Sequence, residues 1–125
     1  EALAPKYNTD IVISAQTLRQ AKAEGVFEYR LLDWVRVKGR KNPIELYEII
    51  DHQESNIKQL KLANAKLIEQ GLNYRKDQKW ELAVTHFKQA LEINPEDTLA
   101  IHHLEQCARL QNMQLEENWD GSILL

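Results

Sequence analysis

The segment from residue 64 to residue 97 limits the possible folds most strongly, because two apolar stripes of helical period flank a short polar joint. The first stripe consists of Leu67, Ile68 and Leu72, with Gly71 and Tyr74 one face round, and the second of Leu82, Ala83, Phe87, Ala90 and Leu91. The joint at residues 76–79 is entirely polar. Asn94 precedes Pro95, and proline disfavours helical conformation in the residue before it. The segment therefore predicts a helical hairpin that ends near residue 94.

Six positions in this hairpin carry residue types typical of the tetratricopeptide repeat, a helix–turn–helix unit of about 34 residues. They are Gly71, Tyr74, Ala83, Phe87, Ala90 and Pro95. The small residues allow two helices to approach closely, and the aromatic residues fill the space between them. The segment resembles one such repeat, although Leu67 replaces a tryptophan and Gln70 a leucine; an arbitrary helical hairpin is the alternative. The resemblance implies a groove for a protein or peptide partner, lined by Ala65, Ile68, Leu72, Arg75 and Lys76.

Further helices are predicted on both sides of the repeat. A helix that begins near Gln53 is expected to continue into the repeat without a flexible linker. After the repeat, another helix is predicted over residues 96–114, and it begins as a further repeat would, with Ile101 and Leu104 at helical spacing. Glu105 and Ala108 stand where a further repeat would have glycine and tyrosine. This last helix is therefore predicted to cap the stack with a polar outer face.

The N-terminal half carries signals for short strands and one helix. A β-branched run at residues 11–14 predicts a strand, and Ser14 is suited to cap a helix over residues 15–22 that ends near Gly25. Apolar and polar residues alternate from Trp34 to Lys38 and again over residues 44–50, which predicts a β-hairpin. Such a unit buries little apolar surface, so it is expected to pack with more of its domain or with another copy.

Two motifs in this half resemble the C-terminal end of the catalytic domain of class III nucleotidyl cyclases. The run VRVKGR at residues 35–40 leads into PIELYE at residues 43–48. The family has a strand ending in V-K-G-K before a last strand of the form P-x-x-x-Y-E, and Arg40 keeps the charge of the second lysine. Weaker matches are EAL at residues 1–3 and IVIS at 11–14 with Thr17 and Leu18. This order, with a tetratricopeptide repeat after the cyclase motifs, is similar to that of multidomain bacterial cyclases. The tail NWDG at residues 118–121 resembles the ending of those same proteins.

The two resemblances together imply an α+β chain. Residues 1–51 would be an incomplete strand–helix–hairpin piece of a ferredoxin-like cyclase domain. Residues 52–114 would form an all-α unit of linker helix, repeat (64–97) and capping helix, and residues 115–125 a tail. The chain is expected to derive from a longer protein.

The cyclase resemblance also implies a function for that parent protein. The family converts ATP to cyclic AMP and pyrophosphate, or GTP to cyclic GMP, as a homodimer. ATP is favoured here because bacterial cyclases with this tail more often resemble adenylate cyclases. Two Mg²⁺ or Mn²⁺ ions activate the substrate, held by aspartates upstream of Glu1. This fragment lacks that metal site, so it is expected to carry no cofactor and to be inactive alone.

Lys38 is the candidate nucleotide contact in the fragment. The resemblance implies that it contacts the phosphates of the nucleotide, and an ammonium at a strand end beside a glycine turn offers a mobile point charge. The alternative is that Arg36, Lys38, Arg40 and Lys41 form only a solvated hairpin tip. A second function class is a non-enzymatic tetratricopeptide scaffold. Upstream sequence would discriminate, because metal-binding aspartates indicate a cyclase and a second full repeat indicates a scaffold.

Composition is typical of a folded protein of the cytoplasm. Charged residues make up 28% and hydrophobic residues 43% of the 125 residues, as in globular domains. The net charge of −3 disfavours nucleic-acid binding. No apolar run reaches the ~20 residues of a membrane span, so any membrane anchor of the parent protein is expected upstream. The single Cys107 suits a reducing compartment and is expected to be buried. His52, His86, His102 and His103 lack metal-ligand spacing and are expected at surface or packing positions.

Overall fold

A computed structural model describes residues 12–124. Four strands and four helices follow the order β1 (Val12–Ser14), α1 (Ala15–Ala23), β2 (Tyr29–Arg36), β3 (Ile44–Ile49), α2 (Ser55–Lys76), α3 (Trp80–Ile93), α4 (Thr98–Gln111) and β4 (Ile123–Leu124). The α+β class and the predicted order of strand, helix, β-hairpin and three helices are confirmed. The sequence matches at residues 1–3 and at Ile11 lie outside the described residues.

The strands form one sheet in the order β1-β3-β2-β4. β3 pairs antiparallel with β1 and β2, and β4 runs parallel to β2. β2 begins at Tyr29, five residues before the predicted start at Trp34. The prediction missed these residues because an irregularity in the pairing between Leu31 and Asp33 interrupts the alternation of apolar and polar residues. The two long strands lie inside the described sheet, and its edges are strands of three and two residues. Short edge strands of this kind give another chain little to pair with.

The local signals at α1 and in the hairpin turn act as predicted. The Ser14 hydroxyl accepts a hydrogen bond from the Thr17 backbone amide at 3.3 Å and caps α1. The turn between β2 and β3 contains Gly39 at φ +88°, a left-handed conformation that glycine adopts without steric cost. The Arg40 amide donates to the Val37 carbonyl oxygen at 3.0 Å across this turn.

The helical hairpin is formed by α2 and α3, and α2 starts directly after a short turn that follows β3. Gly71 on α2 lies under the ring of Phe87 on α3. A Cβ atom at position 71 would lie 2.5 Å from Cε1 of Phe87, closer than carbon atoms approach. The close approach that the small residue predicted is therefore present.

One hydrophobic core joins the two halves of the chain. It contains Leu32 and Val35 of β2, Ile68 and Leu72 of α2, and further buried residues on α3 and α4, among them Phe87, Leu99 and Cys107. This core includes residues from both sides of the boundary predicted between residues 51 and 52. Helix α2 packs against β2 of the N-terminal half. Among residues 12–124, no helix has the length and apolar character needed to cross a membrane.

Candidate functional site

The hairpin between β2 and β3 carries the residue singled out as a nucleotide contact. Lys38 is exposed in the turn, one residue before Gly39. Arg40 and Lys41 are also exposed, and Arg36 at the end of β2 is half-buried. This arrangement presents a basic tip to solvent. It is compatible with a phosphate contact by Lys38 and equally with the solvated tip that was the alternative.

A cleft of about 630 Å³ lies beside this tip, between the end of β2, the end of α4 and the tail. Arg36, Lys41 and Arg109 line it together with the acidic Glu116 and Asp120, whereas Lys38 does not. Burial favours a raised pKa for Asp120, but hydrogen bonds from Ser122 and the charge of Arg36 outweigh it and lower the pKa. The basic groups of the cleft are thus partly neutralised by its own carboxylates.

The residues predicted to line a partner groove occupy a different position from the one expected. Ile68, Leu72 and Arg75 have no exposed surface. Ile68 and Leu72 belong to the core that α2 shares with β2, α3 and α4. Ala65 is half-buried. Lys76 is exposed, with its ammonium 5.8 Å from the ring centroid of Trp34. The apolar stripe of α2 thus contributes to the chain's own core, and a partner would reach these buried residues only by displacing part of that core.

Arg75 is held in a buried ion pair instead of facing a partner. Its Nη2 donates to Oδ1 of Asp33 at 2.6 Å and to the backbone oxygen of Gly121 at 2.9 Å. Both charged side chains are fully buried. Oδ1 of Asp33 also accepts from the backbone amide of Trp34 at 2.7 Å. One guanidinium thus connects α2, β2 and the tail.

A second buried network centres on Arg30 of β2. Its Nε donates to Oε1 of Glu48 on β3 at 2.9 Å, and its two terminal nitrogens donate to the carboxylate of Asp97 at 2.8 and 3.1 Å. Asn64 of α2 accepts from Arg30 and donates to Asp97 at 2.6 Å. Asp97 in turn accepts from the Leu99 amide at 3.1 Å and caps α4. The network joins both central strands to α2 and α4.

The electrostatics of this network follow from its pairing. Burial favours a lower pKa for Arg30, but the hydrogen bond and charge of Asp97, with the charge of Glu48, outweigh burial and raise it. Burial favours a higher pKa for Asp97, and its bonds to Arg30, Asn64 and Leu99 overcome this and lower the pKa. Both groups are therefore ionised at neutral pH. Lys61 forms a further close ion pair with Glu48.

The two acidic side chains buried in the described sheet have their charge offset by basic partners. Asp33 pairs with Arg75, and Glu48 pairs with Arg30 and Lys61. A two-ion magnesium site, which the cyclase resemblance implies, needs carboxylates whose negative charge is available to the ions. These two carboxylates do not fit that site, because the guanidinium and ammonium groups already neutralise them.

The two histidines of α4 lie at packing positions, in agreement with the expectation from the sequence. His103 is fully buried, and its Nε2 lies 2.7 Å from the Leu32 carbonyl oxygen. The rings of His102 and His103 lie 5.3 Å apart between centroids, in an edge-to-face arrangement. Asp33, His102 and His103 each offer one possible ligand atom, and these atoms lie within 4.8 Å of one another.

Burial fixes the protonation state of His103. It lowers the pKa to about 4; the charge of Asp33 opposes this change, and the charges of Arg75 and His102 reinforce it. His103 is a neutral imidazole at pH 7.

Cys107 is buried, which confirms the prediction that it packs inside the protein. Burial raises the pKa of its thiol to about 11.

The buried polar residues were missed at the sequence level, although one signal was present. Glu48 lies in the apolar run at residues 44–50, where a charged residue in a strand that faces a core needs a partner. Its partner Arg30 lay before the predicted strand start. The contact of Arg30 with Asp97 spans 67 positions of sequence, so no local pattern indicates it.

Comparison with characterised proteins finds similarity to a terminal-differentiation-specific adenylate cyclase of Dictyostelium discoideum. The two are 28% identical over 124 residues, which cover 93% of this chain and 6% of that protein. The chain thus spans only a small fraction of the length of this relative, and the similarity concerns one region of that protein. The relative lends no support to a bacterial origin. No family model matches the chain. No solved structure matches it either.

Proposed function

We propose that this chain is the C-terminal part of a nucleotidyl cyclase catalytic domain, continued by a helical unit of α2, α3 and α4 that resembles a tetratricopeptide repeat. The observation that carries the proposal is the similarity to an adenylate cyclase along nearly the whole chain. The exposed VKG turn between two central strands supports it, since this is the segment on which the cyclase motif lies.

In the parent enzyme, the reaction would be conversion of ATP to cyclic AMP and pyrophosphate, with GTP as the alternative substrate. Lys38 would contact the phosphates. Its ammonium is a strongly hydrated point charge on a flexible stem, suited to neutralise phosphate oxygens as pyrophosphate leaves. Residues upstream would hold the two Mg²⁺ or Mn²⁺ ions, and two catalytic domains would associate as a homodimer.

The helical unit would then be a regulatory or interaction element fixed to the catalytic sheet. A scaffold that binds peptides through the stripe at Ile68 and Leu72 is the less favoured alternative, because both residues are fully buried in the chain's own core. A partner would have to bind other faces of the helices. Leu82 and Ile101 on such faces are more than one third exposed.

The test is substitution of Lys38 in the parent cyclase. Lys38→Ala should raise KM for the nucleotide or lower kcat by at least about tenfold, which is the loss of one charge-assisted contact of about 1.4 kcal/mol or more. Lys38→Arg should restore part of the activity, because it returns a positive charge. Lys41→Ala, in the same turn, is the matched control and should leave the kinetics near wild type. Circular dichroism would establish that each variant is folded.

Two outcomes would contradict the proposal. An unchanged rate in Lys38→Ala would reject Lys38 as a phosphate contact. The isolated 125-residue chain, assayed with ATP or GTP and Mn²⁺, should form no cyclic nucleotide. Turnover above background would show that the catalytic groups lie within this fragment and that their assignment to upstream residues is wrong.

A further inference from the structure

Two adjacent histidines of α4 and a carboxylate of β2 meet between the sheet and the helical unit. Asp33 and His103 are fully buried and His102 is half-buried. Each contributes one possible ligand atom, all within 4.8 Å of one another. Two imidazole nitrogens and one carboxylate oxygen form a ligand set typical of zinc sites that leave a position for water. We infer that Asp33, His102 and His103 form a binding site for a divalent transition-metal ion of the zinc class.

The tautomer of His103 supplies the main argument. Its Nε2 lies 2.7 Å from the Leu32 carbonyl oxygen, and a carbonyl oxygen only accepts hydrogen bonds, so Nε2 carries the proton. Nδ1 of the neutral ring therefore presents a lone pair. This atom is buried and finds no hydrogen-bond partner among residues 12–124. A buried acceptor without a donor is costly, and a bound metal ion would remove that cost.

The contact with Leu32 has a second consequence. Ligand histidines commonly donate their other ring N–H to a carboxylate or a backbone carbonyl, which fixes the tautomer and aims the lone pair. Leu32 provides such a carbonyl from the strand that also carries Asp33. The ring is further held by stacking on Phe87, with centroids 5.1 Å apart and planes inclined by 25°. His103 is thus oriented before any ion binds.

Arg75 limits the affinity of the site and helps to select the ion. Its guanidinium lies 2.6 Å from Oδ1 of Asp33 and opposes a second cation. A carboxylate has two oxygens and about four acceptor positions, so it can pair with Arg75 and still ligate. Since Arg75 offsets the charge of Asp33, binding must come mainly from the imidazoles. Imidazoles favour Zn²⁺ over Mg²⁺, which prefers oxygen ligands.

A bound ion would connect α4 to β2 next to the core. Half-buried His102 gives the ion access from solvent. Because binding to the native state alone stabilises a protein by mass action, Zn²⁺ should raise the melting temperature of the chain. This site lies apart from Lys38 and does not depend on cyclase activity.

The experiment uses the 125-residue chain stripped with EDTA, then titrated with Zn²⁺ by calorimetry and with Co²⁺ by visible absorbance. Wild type should bind one ion per chain and melt at a higher temperature with Zn²⁺, and Mg²⁺ should have neither effect. His102→Gln should weaken Zn²⁺ binding at least tenfold; this half-buried position allows the variant to fold. His86→Gln on α3 is the matched control, because it also removes a half-buried histidine, and it should bind as wild type does.

Four results would overturn the inference. The first is the absence of one-to-one binding by wild type. The second is equal affinity in His102→Gln and wild type. The third is a loss of binding in His86→Gln, which would place the ion elsewhere. His103→Gln, folded by circular dichroism, should also lose the ion, and retention of binding would equally reject the site.

Discussion

Replacing His103 with glutamine removes a buried group that the fold holds neutral, and the consequence is a change in pH dependence. Burial lowers the pKa of His103 from 6.5 to about 4. Between these two values the unfolded chain binds a proton that the native chain does not, so stability falls as pH falls. The penalty is absent above pH 6.5, grows through this window and is complete below pH 4.

The expected magnitude follows from the width of the window. When the pH is lowered from about 7.5 to about 5, roughly 1.5 pH units of this change lie below the pKa of the unfolded state. At about 1.4 kcal/mol per unit, the free energy of unfolding falls by roughly 2 kcal/mol. The glutamine amide can still donate to the Leu32 carbonyl oxygen. The variant should therefore keep that contact while losing the titration.

The assay is urea unfolding at both pH values in EDTA. Wild type should lose about 2 kcal/mol more than His103→Gln between pH 7.5 and pH 5. Carboxylates with lowered pKa values, such as Asp97, also make the protein less stable toward acid pH. Their contribution is the same in wild type and variant, so it cancels in the difference. His86→Gln should keep the wild-type pH dependence. Equal pH dependence in wild type and His103→Gln would refute the assignment of a buried neutral imidazole.

Two further predictions concern packing and charge. Gly71→Ala should destabilise the chain by about 1–3 kcal/mol in urea unfolding, because the added methyl group clashes with the Phe87 ring. This overpacking should outweigh the higher helix propensity of alanine. A stabilised variant would refute the close approach of Gly71 and Phe87. Arg30→Met should cost about 3–5 kcal/mol because it leaves buried carboxylates without their partner. Lys58→Met breaks a more exposed ion pair and should cost less than about 1 kcal/mol, so equal losses in the two would contradict the burial argument.

The helical elements could be predicted because their signal is local and repeated. Each stripe of residues 64–97 contains several apolar positions at one period, and Asn94 followed by Pro95 marks an end. The structure has α2 and α3 over these residues. β2 was predicted only from Trp34, because an irregular pairing near Leu32 breaks the alternation that identifies a strand. β4 was not predicted, since two residues carry no period and its pairing depends on the path of the tail.

The candidate site was harder to predict, because its contacts are long-range. Arg30 and Asp97 are 67 residues apart, and Arg75 and Asp33 are 42 apart. A sequence pattern shows that α2 has an apolar face, but it does not show what covers that face. The repeat resemblance implied that this face binds a partner, whereas in the structure its residues Ile68 and Leu72 lie in the core shared with β2, α3 and α4. The same limit hid the cluster of Asp33, His102 and His103, which spacing along one helix could not reveal.

The position of the buried ion pairs restricts how the helical unit could influence the hairpin tip. Arg30 and Asp33 lie on β2, the strand that leads to Lys38, and both pair with residues outside the sheet. Separating the helices from the sheet would expose both pairs at several kcal/mol each. A partner that binds the outer helical faces should therefore move the helices and β2 as one body. Transmission to Lys38 would occur through a shift of the strand, and not through release of the helical unit.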